Sequence, residues 1–185
     1  MLVDGFILSV IIGVLRRGRI KELAKIPLRH AYLFVLAFML KFIIVFWGGH
    51  GTFVGRYSYY FHLLSYLALF GGFFLNLHIP EIPIISAGSL ANFLVIFTNG
   101  GKMPVLMSAA QRAGLSPYLE ILKNGTAYAT HTILSETTRL KFLADIFFIP
   151  PPYPKPRVFS IGDVVMVFGV FLLVQRYMVA KDTKQ

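Results

Sequence analysis

Lys41 stands well inside an apolar run, Ala31 to Trp47, and a charge at that depth needs either an escape route or a partner. Two readings are open. Its stem could reach toward the boundary marked by Trp47, six residues or about 9 Å along a helix. Alternatively it could pair with a carboxylate, and Asp163, at the head of the last apolar run in Phe159-Ser160-Ile161-Gly162-Asp163, is the natural candidate. A carboxylate there can also cap its own helix, since it meets exposed N–H groups and the positive end of the helix dipole. Asn92 sits in a run of small residues, Ser86, Ala87, Gly88, Ser89 and Ala91, where an amide most often joins one helix to another. Asn99-Gly100-Gly101-Lys102 reads as a helix stop that could also offer backbone donors to an anionic headgroup. Arg139, with Glu136, Lys141 and Asp145, reads as the solvated face of one surface helix. Asp4 is read as terminal and exposed.

Catalysis would need more than these residues give singly. Two carboxylates can share a proton, one ionised to activate water and one protonated to polarise a carbonyl. Asp163 and Asp145 are the only pair the sequence suggests for that role. The five histidines, His30, His50, His62, His78 and His131, have no metal-ligand spacing, and no Gly-rich phosphate loop or nucleophile elbow occurs. No metal and no cofactor is expected. Asn124-Gly125-Thr126 matches a glycosylation sequon, a three-residue pattern that arises easily by chance.

The elements that must position these groups are apolar helices. With 56% hydrophobic and 14% charged residues in 185, the chain has more apolar surface than one water-soluble core would hide. The expected fold is an all-α, polytopic transmembrane bundle of about five spans in one membrane domain: 2–15, 31–47, 57–77, 84–98 and 161–179. The interfacial region 99–160 is expected to carry two outer surface helices, Met103 to Ala113 and Ala127 to Phe148, followed by a stiff proline-rich connector at Pro150–Pro156. Cysteine is absent, so thiol chemistry plays no part.

The net charge of +10 points to membrane topology rather than to nucleic acid. Six basic residues, Arg16, Arg17, Arg19, Lys21, Lys25 and Arg29, fill the first connection, which is therefore placed on the cytoplasmic side. The N-terminus then lies outside and the C-terminus inside. Polar groups gather near the outer surface instead of along a path through the membrane, which argues against a transporter or channel, although His62 keeps that alternative open.

Asn99-Gly100-Gly101-Lys102-Met103-Pro104-Val105, His131-Thr132, Thr138-Arg139-Leu140, Leu143-Ala144-Asp145 and Ser160-Ile161-Gly162-Asp163 together resemble a family of bacterial membrane proteins, a domain of unknown function numbered 5317. The resemblance covers nearly the whole chain and implies the bacterial inner membrane. Spans two to five also resemble lipoprotein signal peptidase, a membrane aspartyl protease. Gly88-Ser89-Leu90-Ala91-Asn92 is similar to its Gly-Ala-Leu-Gly-Asn, Phe159-Ser160-Ile161-Gly162-Asp163 to its Phe-Asn-x-Ala-Asp, and Lys41 to a lysine late in its first span. The match fails where it matters most: Val95 stands in place of a catalytic aspartate, Ile96 in place of the adjacent arginine, and Ala37 in place of an aspartate before the lysine. The expected role is therefore non-catalytic, the binding of membrane lipid, a lipidated peptide or a membrane partner in an outer-facing groove that Lys41, Asn92, Asp163, Asn99 and Arg139 would line. The alternative is an aspartyl-type hydrolase using Asp163 and Asp145.

Overall fold

A computed structural model describes residues 1–49, 51–123 and 130–179. His50 and the sequon at Asn124-Gly125-Thr126 lie outside the described residues. The chain is mostly helical: α1 (Leu2–Leu15), α2 (Tyr32–Trp47), a short α3 (Phe53–Arg56), α4 (Ser58–Leu75) and α5 (Ile82–Thr98) lead to the segment 99–160, the outer segment of the topology expected from sequence, and α8 (Ile161–Val179) closes the bundle. Two of these, α4 and α8, are long and apolar enough to cross a membrane, while α1, α2 and α5 are shorter apolar helices.

The helices pack in a row. α1 lies on α8, α8 on α5, and α2 on α4, with α4 meeting α5 through fewer contacts. Why α5 sits centrally follows from its sequence. Its buried residues Ile85, Gly88, Ser89, Asn92, Val95 and Ile96 recur at helical spacing. Gly88 meets Gly162 so closely that a Cβ on Gly88 would lie 2.7 Å from Met166 Cγ, and one on Gly162 would overlap Asn92 Oδ1. Small residues thus let the two backbones approach. The α4–α5 seam is aromatic: Tyr66 meets Phe93 edge-on at 5.3 Å, and Phe70 meets Phe93 at 5.5 Å. Outward faces keep large apolar side chains uncovered, among them Phe6, Ile7, Phe38, Phe46, Leu67 and Phe168.

Buried amides tie the basic end of the bundle. Asn76 donates to the carbonyls of Arg29 (2.7 Å) and Gly72 (2.8 Å) and accepts from the Arg29 N–H at 2.7 Å. Gln175 donates to the Ser9 carbonyl at 2.7 Å and accepts from Arg16 Nη1 at 2.8 Å. Arg176 pairs with Glu81 at 3.0 Å.

The outer segment corrects the expectation of two surface helices. Met103–Val105 is a strand, β1, followed by α6 (Met107–Arg112) and α7 (Ser116–Lys123), and the described residues also hold β2 (His131–Ile133), β3 (Phe147–Ile149) and β4 (Arg157–Phe159). The fold is therefore not purely α-helical. β1 pairs in parallel with β2, Met103 opposite His131 and Val105 opposite Ile133, and β3 pairs antiparallel with β4. Where a helix was expected through Asp145, the chain makes a left-handed residue at Leu140 (φ 52°) and a single tight turn at Lys141–Leu143. Apolar spacing in this stretch marks residues that face the bundle from irregular backbone; Ala144 lies in one core cluster with Tyr66, Val95, Ile96 and Met103. Asp4 is corrected as well: both its oxygens meet the Arg157 guanidinium, one at 3.3 Å, and the Met1 amino group lies 3.2 Å away.

Candidate functional site

The head of α8 is fixed before any ligand is considered. Ser160 Oγ accepts from the Asp163 N–H at 3.1 Å, and Asp163 Oδ2 accepts from the Ser160 N–H at 3.2 Å, a reciprocal cap. Asn92, reaching over from α5, donates to Asp163 Oδ1 at 3.0 Å and accepts from Ser160 Oγ at 2.8 Å. Asp163 is thus both a cap and an interhelical link, as its position suggested. Its two oxygens each accept from an N–H.

Asp145 arrives from the opposite side. Its backbone bonds to β1 on the edge away from β2, its N–H donating to the Pro104 carbonyl at 2.9 Å and its carbonyl accepting from the Leu106 N–H at 3.0 Å. Proline helps here: it lacks an N–H but keeps a carbonyl that can serve this edge. The Asp145 side chain is buried at 5% exposure, Oδ1 has no hydrogen-bond partner, and Oδ2 lies 3.9 Å from His131 Nε2. Burial, reinforced by the charge of Asp163, pushes the Asp145 carboxyl up to about 8, with Lys41 opposing the rise. Burial and then Lys41 push His131 down to about 4, and Thr130 Oγ1 lies 2.8 Å from its Nδ1.

Lys41 follows neither of the two courses open to it. It turns inward, its ammonium 5.7 Å from the centre of the Tyr66 ring, a cation–π distance, and among the described residues no carboxylate comes within 4 Å of it. Lys41, Tyr66, Asn92, His131, Asp145 and Asp163 line one polar chamber of about 170 Å³. A second, mostly apolar groove of about 360 Å³ runs on from it, walled by Leu2, Phe34, Phe38, Leu69 and Met166. Lys41, Tyr66, Asn92 and Asp163 belong to both, so a molecule in the groove can place one end among polar groups.

Of the residues expected to line a groove, Lys41, Asn92 and Asp163 come together and Asn99 and Arg139 do not. The Asn99 amide donates to the Val95 carbonyl (2.7 Å) and the Arg139 carbonyl (2.9 Å) and accepts from the Arg139 N–H (2.9 Å). It clamps the outer segment to the end of α5, and the Arg139 side chain faces outward. Gly100 and Gly101 follow with φ of +71° and +81°, the left-handed stop that a double glycine supplies. Asp163 and Asp145 both line the chamber. Val95, where an aspartate would stand in lipoprotein signal peptidase, is fully buried core.

Tyr66 and His131 were not anticipated as site residues. A tyrosine hydroxyl deep in an apolar helix was the available signal for Tyr66. His131 depends on strand pairing that three residues of sequence do not reveal. His62, one turn before Tyr66, is fully buried with both ring nitrogens unpartnered among the described residues, and it lines neither cavity. Among the described residues no three His, Asp or Glu side chains gather as a metal site.

A model of a family of unknown function, DUF5317, matches residues 25–175. An uncharacterised protein of Thermotoga maritima is 27% identical over 172 residues, covering 93% of this chain and 89% of the relative. No solved structure matches, so the likeness to lipoprotein signal peptidase rests on its sequence strings alone.

Proposed function

As this chain belongs to the family of unknown function DUF5317, we propose its role from the site itself: a membrane protein that binds an amphiphile, a lipid or the lipidated end of a peptide or partner, between its helices. The observation that carries this reading is the sharing of Lys41, Tyr66, Asn92 and Asp163 between a polar chamber and an apolar groove. The groove is walled by α2 and α4 on one side and α5 and α8 on the other, with Leu2 of α1 at its edge, and because α2 packs chiefly on α4 it opens beside α2 toward the surroundings of the bundle. In hydrocarbon an acyl chain enters such an opening without crossing water. A photoreactive residue at Leu69, in the groove wall, is expected to yield chain-bearing adducts in native membranes. Adducts no more abundant than those of a solvent-facing control would remove the reading.

The site fits a bacterial inner-membrane protein of five spans, N-terminus outside and C-terminus inside. Large apolar side chains ring α1, α2, α4 and α8, and patches of that extent want a non-aqueous cover. The spans are about 21–29 Å long, short enough that the bilayer must thin or flanking residues snorkel. Because the chain has no cysteine, single cysteines report cleanly: Lys155→Cys should react with an impermeant maleimide in intact cells and Lys21→Cys only after permeabilisation. The reverse pattern would invert the topology.

A hydrolase is the second reading, favoured by one observation: Asp163 and Asp145 line the same chamber, and burial pushes the Asp145 carboxyl up to about 8. Water could then attack a carbonyl carbon, its proton passing to Asp163 while Asp145 donates to the carbonyl oxygen. Turnover of an acyl ester or lipidated peptide that Asp163→Asn and Asp145→Asn each abolish supports it. Turnover that survives both changes excludes the pair.

A further inference from the structure

The chamber's unsatisfied valences are donors, and they define what the groove takes. Asp163 has both oxygens engaged by N–H groups and Asn92 is shared between Asp163 and Ser160. One oxygen of Asp145 is buried with no hydrogen-bond partner among the described residues, and the Lys41 ammonium, which sits over the Tyr66 ring, and the Tyr66 hydroxyl line the same chamber. A protonated Asp145 is an O–H donor at neutral pH. Counted at their formal charges, Lys41 and Asp163 offset each other in the chamber, and burial pushes Asp145 and His131 toward their neutral forms. An anionic head would upset that balance, whereas a neutral head rich in acceptors would complete it. The groove, at about 360 Å³, falls at the low end of the roughly 300–1,000 Å³ typical of ligand sites, room for one chain and not two.

We infer that the occupant is a single-chain acyl ester, its carbonyl held by Lys41, Tyr66 and Asp145 in the chamber and its chain lying along Phe34, Phe38, Leu69 and Met166. This rests on the amphiphile reading above and narrows it to one chemical class. A free fatty acid places a second negative charge beside Asp163 and is disfavoured. A diacyl phospholipid carries an anionic head and a chain the groove does not accommodate.

The test uses the full chain in a non-ionic detergent at pH 7, with methyl oleate, oleate and dioleoyl phosphatidylglycerol as competitors for one fluorescent-chain probe. Methyl oleate is expected to displace the probe at a concentration at least tenfold below that of oleate or the phospholipid. Lys41→Met should weaken methyl oleate at least tenfold. Tyr66→Phe should weaken it about threefold, and because it removes only a hydroxyl from a packed ring it keeps the test open if Lys41→Met fails to fold. Asp145→Ala removes a donor and should weaken methyl oleate about threefold. Oleate binding as tightly as its ester, or affinity indifferent to both Lys41→Met and Tyr66→Phe, overturns the ester assignment and leaves the amphiphile reading standing. A probe that none of the three displaces, and that binds no better than to empty micelles, ends both.

Discussion

Replacing Asn92 by alanine tests the joint on which the chamber is built. The amide makes two contacts between α5 and the head of α8: it donates to Asp163 Oδ1 at 3.0 Å and accepts from Ser160 Oγ at 2.8 Å. In water-soluble proteins a bond to a charged group is worth about 1.5–3 kcal/mol and a neutral one about 0.5–1.5. Interhelical bonds measured in a bilayer average only about 0.6 kcal/mol, with a maximum near 1.7, because the separated helices find other partners. Two bonds, one of them to a carboxylate in a nearly dry setting, therefore come to about 2 kcal/mol. The serine–aspartate cap within α8 is left intact, so the loss should be confined to the α5–α8 joint. Unfolding in mixed micelles, followed through the single tryptophan, Trp47, gives the difference. Ser160→Ala in the same cycle should show coupling with Asn92→Ala of roughly 0.5–1 kcal/mol, as residues in one network do. A loss below about 0.5 kcal/mol, or additivity with Ser160→Ala, would mean that the network does not hold the two helices together.

Gly162→Ala drives a methyl group into Asn92 Oδ1 and the Gly88 carbonyl and should cost about 1–3 kcal/mol, as overpacking does; Gly49→Ala, whose Cβ meets only Thr52 at 3.8 Å, should stay within about 0.5 in the same melt. Asn99→Ala removes the clamp on Arg139, so hydrogen exchange across 134–146 should quicken at least tenfold while α8 is unchanged. pH gives a further check. Asp145 keeps its proton in the fold up to about 8 and loses it near 3.8 when unfolded, so its contribution to stability falls as pH rises between those values. His131, pushed down to about 4 from 6.5, makes stability rise over pH 4–6.5 and opposes that trend there. Between about pH 6.5 and 8 only Asp145 of this pair changes, and stability should fall by on the order of 1–2 kcal/mol; in Asp145→Asn the fall should vanish, and its persistence would place its origin elsewhere.

Apolar segments long enough to declare a period were legible in the sequence, and so were the residues that break the apolar pattern. α2, α5 and α8 lie close to their expected bounds because a run of Val, Ile, Leu and Phe closed by Gly48, Gly100 or a capping serine and aspartate carries its own ends. Lys41, Asn92 and Asp163 stood out because a polar atom inside an apolar run is costly to bury unless it is partnered. The outer segment was not legible. Its apolar residues face the bundle from strands and a left-handed turn at Leu140, and three-residue strands have too few positions for an alternation to show. Asp145 accordingly looked like one charge on a solvated helix face, although the Pro104 carbonyl and the β1 edge draw it into the site. Asn99 was misplaced for the opposite reason: an amide next to a glycine pair suggests a ligand, whereas here it grips backbone.

The central claim is that a chain lies in the groove walled by α2, α4, α5 and α8, with Leu2 of α1 at its edge. Structure determination of the protein in a lipid nanodisc, without added ligand, addresses this directly. The expected result is elongated density along Phe34, Phe38 and Leu69 that ends between Lys41, Tyr66 and Asn92. A groove closed by the side chains of α1, or filled by ordered water down to Met166, would contradict it.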